Sequence, residues 1–386
     1  MENKIGEWFT QEFSGKDFRP NPPKVTHRDD LFGEIVVKDM SGMPEKSKPL
    51  EGKFCSKPFN YIDVSFDGRV WVCCPGWVPY PIGNLTENSL EEIWNGERAQ
   101  LIRKSMLDSS FRYCNQKLCP DIADDRLTSV PKEIPNNPMP TRVYLAMDES
   151  CNLSCPSCRV QKIMHNDGPM YEYRKAILDK VIDGVLGEPH DRLVNLHVTG
   201  SGDPFGSKIF RDFLMEFDPT PWPNLNLGLV TNGVMLTETN WKRISKWHNR
   251  IIDIRISFDA ATEKTYNITR RGGNWEQLLE NCKFLNKEIK NHPFLKIHTD
   301  FVVQDLNYKE MTDYAKMVIL KFPNFATANF SLVNDWGTWD KATLEQRCIW
   351  KTTHPEFDQF KRQLQSGILK HWKVNLGSVK WVVEGS

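Results

Sequence analysis

Six short β-rich runs, each followed by a helical stretch, succeed one another between residues 141 and 335. The strands are expected near Arg142–Met147, Leu193–Thr199, Leu225–Thr231, Ile252–Phe258, Lys296–Gln304 and Ala326–Val333. Apolar stripes at helical spacing lie between them. Ala176, Ile177, Val181, Ile182 and Val185 form one; Phe210, Phe213 and Leu214 another; Leu278, Leu279, Cys282 and Leu285 a third. Such alternation constrains the fold strongly. Neighbouring parallel strands need a long crossover, and a helix on the sheet face supplies it. About 190 residues are too few for eight such units. The expectation is therefore an α/β fold with an open or partial barrel.

The flanks read differently. Residues 1–52, punctuated by Pro20, Pro22 and Pro23, suggest an irregular arm. Residues 53–130 form a cysteine-bearing unit. In it Tyr61–Phe66, the Asp67-Gly68 turn and Val70–Cys73 read as a hairpin. Ser89 and Glu92 make a capping box ahead of Leu90, Ile93 and Trp94. Residues 131–140, with four prolines, read as a linker. Residues 336–386 form a C-terminal extension, with a helix near Phe357–Leu369 and a strand near Val379–Val383.

Fifty basic residues balance fifty acidic ones, which gives no support to binding nucleic acid through global charge. No apolar run is long enough for a membrane span. The first residues carry acids and no apolar core, so a signal peptide is not expected and a cytoplasmic location is. In that setting ten cysteines are not a disulfide framework. All except Cys282 and Cys348 fall within one stretch of about a hundred residues, a pattern that reads as metal ligation. Cys282 lies on an apolar helical stripe and Cys348 beside Ile349-Trp350; both are assigned to packing, as are most of the tryptophans.

The first strand runs directly into Asp148-Glu149-Ser150-Cys151, then Cys155 and Cys158, a C-x3-C-x2-C loop. Chemistry in parallel α/β barrels sits on loops at strand C-termini, and this is one. Three thiolates can hold three corners of a [4Fe–4S] cube and leave the fourth iron open. A structural zinc site wants four closed ligands, and no fourth Cys or His lies close by in sequence. The alternative is a zinc site completed from elsewhere.

On these residues the chain resembles the radical S-adenosylmethionine (SAM) superfamily over most of residues 140–335. The resemblance implies a partial (β/α)6 TIM-like barrel whose Cys151, Cys155 and Cys158 hold a [4Fe–4S] cluster, with SAM chelating the open iron. One departure is Ser157, where the family often has an aromatic residue. Gly200-Ser201-Gly202-Asp203-Pro204 resembles the family turn that holds the SAM amino group, with Asp203 as its acid. Thr231-Asn232-Gly233 resembles a further family turn. By the same resemblance Ser257 and Asp259 follow the fourth strand near SAM, Arg270 pairs with the SAM carboxylate, and Gln304 lies beside the adenosine.

Cys55-x12-Gly68-x4-Cys73, Ile82-Gly83-Asn84-Leu85, the Ser89–Asn95 segment and Cys114-x4-Cys119 together resemble a SPASM domain, an auxiliary iron–sulfur module. Relatives usually carry it after the barrel; here it comes first. The resemblance implies an auxiliary [4Fe–4S] cluster on Cys55, Cys73, Cys114 and Cys119. Adjacent side chains of an extended strand face opposite ways, so Cys74 is expected to point away. A zinc site on the same four thiols is the alternative.

The implied activity is reductive cleavage of SAM to a 5′-deoxyadenosyl radical and hydrogen abstraction from a substrate, with the auxiliary cluster handling an electron. That leans toward oxidation or cross-linking of a peptide, sugar or small metabolite. A reductant such as flavodoxin or ferredoxin is the implied partner. The reading of a different class is a non-catalytic iron–sulfur or zinc protein, an electron carrier or scaffold.

Overall fold

The computed structural model describes residues 50–116, 119–334 and 336–384. Apart from residues 50–52, the expected N-terminal arm lies outside them.

All six expected strands form: β6 (Arg142–Ala146), β7 (Val194–Val198), β8 (Leu225–Thr231), β9 (Ile251–Ser257), β10 (Lys296–Val303) and β11 (Thr327–Leu332). Each pairs in parallel with the next. Their burial alternates. Val143, Leu145, Leu196, Leu229, Ile256 and Phe301 are fully buried, on the face that packs beneath the helices. This period-2 pattern fixes which residues face inward.

The sheet is larger than six strands. The cysteine-bearing unit contributes β2 (Tyr61–Ser65), β3 (Arg69–Trp71) and β4 (Gly83–Asn84). The hairpin does form, with β2 and β3 antiparallel. On its other edge β2 pairs in parallel with β6, from Tyr61 opposite Arg142 to Ser65 opposite Ala146. The N-terminal unit is thus joined to the barrel wall as a strand of the same sheet. At the far edge β12 (Val374–Asn375) pairs in parallel with β11. Among the described residues the order is β4-β3-β2-β6-β7-β8-β9-β10-β11-β12, and no ladder there joins β4 to β12 to close the barrel. A separate two-stranded ladder joins β1 (Lys53–Phe54) to β5 (Thr128–Ser129).

The capping box forms, with Ser89 and Glu92 satisfying each other's backbone N–H. The stretch expected as a linker has no helix or strand over 131–140, and Asn137 pins it to the unit by donating to the Phe59 carbonyl at 2.8 Å. One expectation fails. Val379–Val383 is not a strand: a 3-10 turn at Gly377–Val379 leads into a helix over Lys380–Glu384. Asp124 holds that turn, accepting from Trp381 Nε1 at 3.2 Å and pairing with Lys380 at 2.9 Å.

Candidate active site

The C-x3-C-x2-C loop leaves the C-terminal end of β6 and is fastened on three sides. Cys151 N–H donates to the Ile163 carbonyl and Ser154 N–H to that of Arg271, both at 2.9 Å. Beneath it, Asp148 is fully buried, ion-paired to Arg174 at 3.0 Å and hydrogen-bonded by Ser207 at 2.6 Å. Ser207 also caps the Lys208–Glu216 helix, so one hydroxyl ties a helix start to the loop base.

Each thiol meets a donor. Leu153 N–H lies 3.4 Å from Cys151 Sγ, Arg270 Nη1 3.7 Å from Cys155 Sγ, and Arg159 Nη2 3.4 Å from Cys158 Sγ. Burial, with Asp203 nearby, pushes the Cys151 thiol up to about 12. A cationic cluster is what would let such a buried thiol ionise.

A cleft of about 320 Å³ opens on this loop, lined by Cys155, Cys158, Gly200, Ser201, Asp259 and Arg270 among others. Its size fits a small cofactor. Among the described residues the buried Nε of Arg270 has no hydrogen-bond partner, a donor left over beside the cleft. Its Nη2 pairs with Asp259 at 2.9 Å. Burial raises the Asp259 carboxyl and Arg270 lowers it.

The remaining expected SAM contacts stand elsewhere. Gly202 packs on the cluster loop itself: a Cβ there would lie 2.5 Å from the Asp148 carbonyl. Asn232 donates to Asn152 Oδ1 at 2.8 Å and approaches Cys151 Sγ at 3.7 Å. Ser257 is half-buried. Gln304 is buried with an unpartnered Oε1. None of these four lines the cleft.

Asp203 requires a correction. It is fully buried. One oxygen accepts from the N–H groups of Phe205 and Gly206, both at 3.0 Å. The other accepts from Thr231 Oγ1 and Asn232 N–H, both at 2.8 Å. A carboxylate offers about four acceptor sites, and these are filled. Asp203 therefore joins the glycine turn to the end of β8 and is not open to a ligand ammonium.

Sequence reasoning missed Arg159. This buried residue donates to the carbonyls of Glu149 and Ser201, the latter at 2.5 Å, and so clamps the cluster loop to the glycine turn. An arginine directly after the third cysteine was the available signal. Trp336, just past the sixth strand, where the sequence allows a place at the barrel mouth but favours packing, also stands on the cleft wall.

The second thiol set lies at the other end of the sheet. Cys73 follows β3 two residues beyond Trp71, which pairs with Asp63. That brings it near the level of Tyr61 and Arg142, where β2 and β6 begin. The five residues from there to Met147 span about 17 Å. Cys55, Cys73, Cys114 and Cys119 ring one cavity, together with Trp77, Val78, Met106 and Phe111; Cys74 does not line it. Among the described residues no three Cys, His, Asp or Glu side chains converge as they would around a single metal ion. Four thiols around one cavity can supply the ligands of a four-iron cluster or of a zinc ion.

Between the two ends the inner face is polar. Tyr144 stacks on His197 at 4.3 Å, and a Cβ at Gly228 would collide with that imidazole. Burial, with Arg142 and Arg255, pushes His197 down to about 4, so the ring is neutral at pH 7. Arg255 makes a bidentate pair with Asp300 at 2.7 and 3.0 Å yet stays 46% exposed. His298 lies 3.3 Å from Asp253.

The family model of the radical SAM superfamily matches residues 148–318. That of the SPASM domain, described as an iron–sulfur cluster-binding domain, matches residues 55–120. No curated protein matches the chain. Among solved structures the chain is similar to a radical SAM methyltransferase from Sphaerobacter thermophilus, at 13% identity and a TM-score of 0.32. The match covers 58% of this chain and 62% of that one, less than two thirds of its length.

Proposed function

We propose that the chain is a radical SAM enzyme with a SPASM domain ahead of its barrel, a reading supported by the two family models it matches, and that it oxidises or cross-links a polar substrate held between two iron–sulfur clusters. Cys151, Cys155 and Cys158 hold the catalytic cluster; Cys55, Cys73, Cys114 and Cys119 hold the auxiliary one. The observation that carries this reading is the placement of the two thiol sets at opposite ends of one sheet whose inner face is polar.

When bound, the catalytic cluster and SAM would supply the chemistry, a one-electron reductive cleavage of SAM that gives a 5′-deoxyadenosyl radical able to take a hydrogen atom from the substrate. The chain's own residues do the rest. Arg270 and Ser201 border the cleft in which SAM would be held. Tyr144, His197 and the Arg255–Asp300 pair offer a stacking surface and hydrogen bonds to a peptide, a sugar or another polar metabolite. An external reductant such as flavodoxin or ferredoxin delivers the first electron.

The test is anaerobic reconstitution followed by dithionite and SAM. About eight irons and release of 5′-deoxyadenosine are expected, four irons for each cluster. Changing Cys151, Cys155 and Cys158 together to Ala should remove about half the iron and all 5′-deoxyadenosine. Unchanged SAM cleavage in that variant would refute the assignment.

A further inference from the structure

Among the described residues, the charged side chains on the wall of the auxiliary cavity are Lys57 and Asp121, beside the four thiols and an otherwise apolar lining that includes Trp77, Met106 and Phe111. Lys57 opens the Lys57–Phe59 turn two residues after Cys55. Its backbone N–H faces the Cys55 thiol, and its ammonium charge is felt at Cys55, Cys73 and Cys114. The ammonium is fixed on two sides. Nζ donates to Asp121 Oδ2 at 2.6 Å and lies 4.7 Å from the centre of the Trp77 ring. Asp121 is held in turn by Arg126, whose Nε donates to Oδ1 at 3.0 Å. A desolvated lysine in an apolar wall is costly to keep, and the pair is only about a fifth exposed.

We propose that Lys57 is a potential-setting residue of the auxiliary cluster, a fixed cation that raises its reduction potential, with Asp121 anchoring and partly offsetting that charge. This rests on the four cysteines binding a cluster. The potential of such a cluster follows its net charge and the charges and hydrogen bonds around its sulfurs. Reduction adds one electron, so a neighbouring cation stabilises the reduced state over the oxidised one. In an oxidation the substrate radical would give one proton to solvent and one electron to the auxiliary cluster, which Lys57 would make the better acceptor, and the electron would leave to an oxidised flavodoxin or ferredoxin.

The experiment is an EPR-monitored redox titration of the reconstituted full chain. The catalytic signal is identified by its change on adding SAM. Lys57→Met should favour the oxidised auxiliary cluster at least tenfold, a downward shift of about 59 mV or more for one electron. Lys57→Arg should stay near the wild type, and Asp121→Asn should move the potential upward. An unchanged or raised potential in Lys57→Met overturns the assignment. If Lys57→Met loses its cluster, Asp121→Asn decides: an upward shift supports the proposal, and no shift or a downward one overturns it. Wild-type iron near four per chain, with no second signal, would remove the cluster reading and this proposal with it. About eight irons with an unmoved potential would overturn the role of Lys57 alone.

Discussion

At Asp203 a single side chain decides whether two loops keep their shape. Its acceptor sites are taken by Phe205, Gly206, Thr231 and Asn232. Asp203→Asn keeps one pair of acceptances and turns an NH2 toward the Asn232 N–H, which is left unpaired. An unsatisfied buried donor costs on the order of 1–3 kcal/mol, so thermal stability should fall while SAM affinity in the folded fraction changes little. Calorimetry beside SAM titration checks this. A ten- to hundredfold loss of affinity with no loss of stability would return Asp203 to the ligand, since one charged hydrogen bond is worth roughly that much. Asp63, on the inner face of β2, is a different case. Burial pushes its carboxyl up to about 7, against the hydrogen bond from Tyr61 at 3.1 Å. Between about pH 4 and 7 the folded chain holds a proton there that the unfolded chain releases, so stability falls as pH rises through that window. Asp63→Asn removes this loss. The variant should therefore gain melting temperature over the wild type at pH 8 and show little gain at pH 4. Equal gains at both would show that Asp63 is not the group responsible.

At the exit of β3 two adjacent cysteines part company. Cys73 stands on the cavity wall, and Cys74 is absent from it. The Cys74 thiol faces the backbone N–H groups of Gly76 and Trp77, with Asp63 nearby. Cys74→Ala should keep its full iron content, whereas Cys73→Ala should lose the auxiliary cluster or make it labile. Iron assay and EPR on the pair test this, and cluster loss confined to Cys74→Ala would reverse the assignment. Elements of this kind were legible where a local rule governs them. The alternation along β2 and β3, the Ser89 cap and the six barrel strands follow period and turn chemistry. Val379–Val383 misled because a run of β-prone residues that short carries no period to separate strand from helix turn, and the contacts that decide it come from Asp124, far away in sequence. The role of Asp203 was hidden for a like reason. Its type and place after β7 are visible in the chain, but the donors that fill its second oxygen belong to Thr231 and Asn232, across the sheet.

For the molecule as a whole, the pairing of β2 with β6 matters most. No local signal in Tyr61–Ser65 names a partner some eighty residues on, so a separate unit on a proline-rich linker was the natural reading of the sequence. Instead the hairpin extends the barrel wall. Ile62 and Val64 are fully buried, as are Val143 and Leu145 on the strand they adjoin. Burying an aliphatic side chain of this size is worth about 1.5–3 kcal/mol, and the exposed backbone edge of β6 would add an aggregation hazard. A fragment beginning at residue 131 should therefore be less stable than the full chain, or insoluble, even though it retains Cys151, Cys155 and Cys158. The full chain should unfold with barrel and hairpin together in one transition. Limited proteolysis and calorimetry of both proteins test the point. The decisive opposite result is a soluble, monomeric fragment that melts at the temperature of the full chain's barrel and still cleaves SAM. In that case the β2–β6 ladder is a contact between two independent domains, and the polar inner face needs no wall from the N-terminal unit.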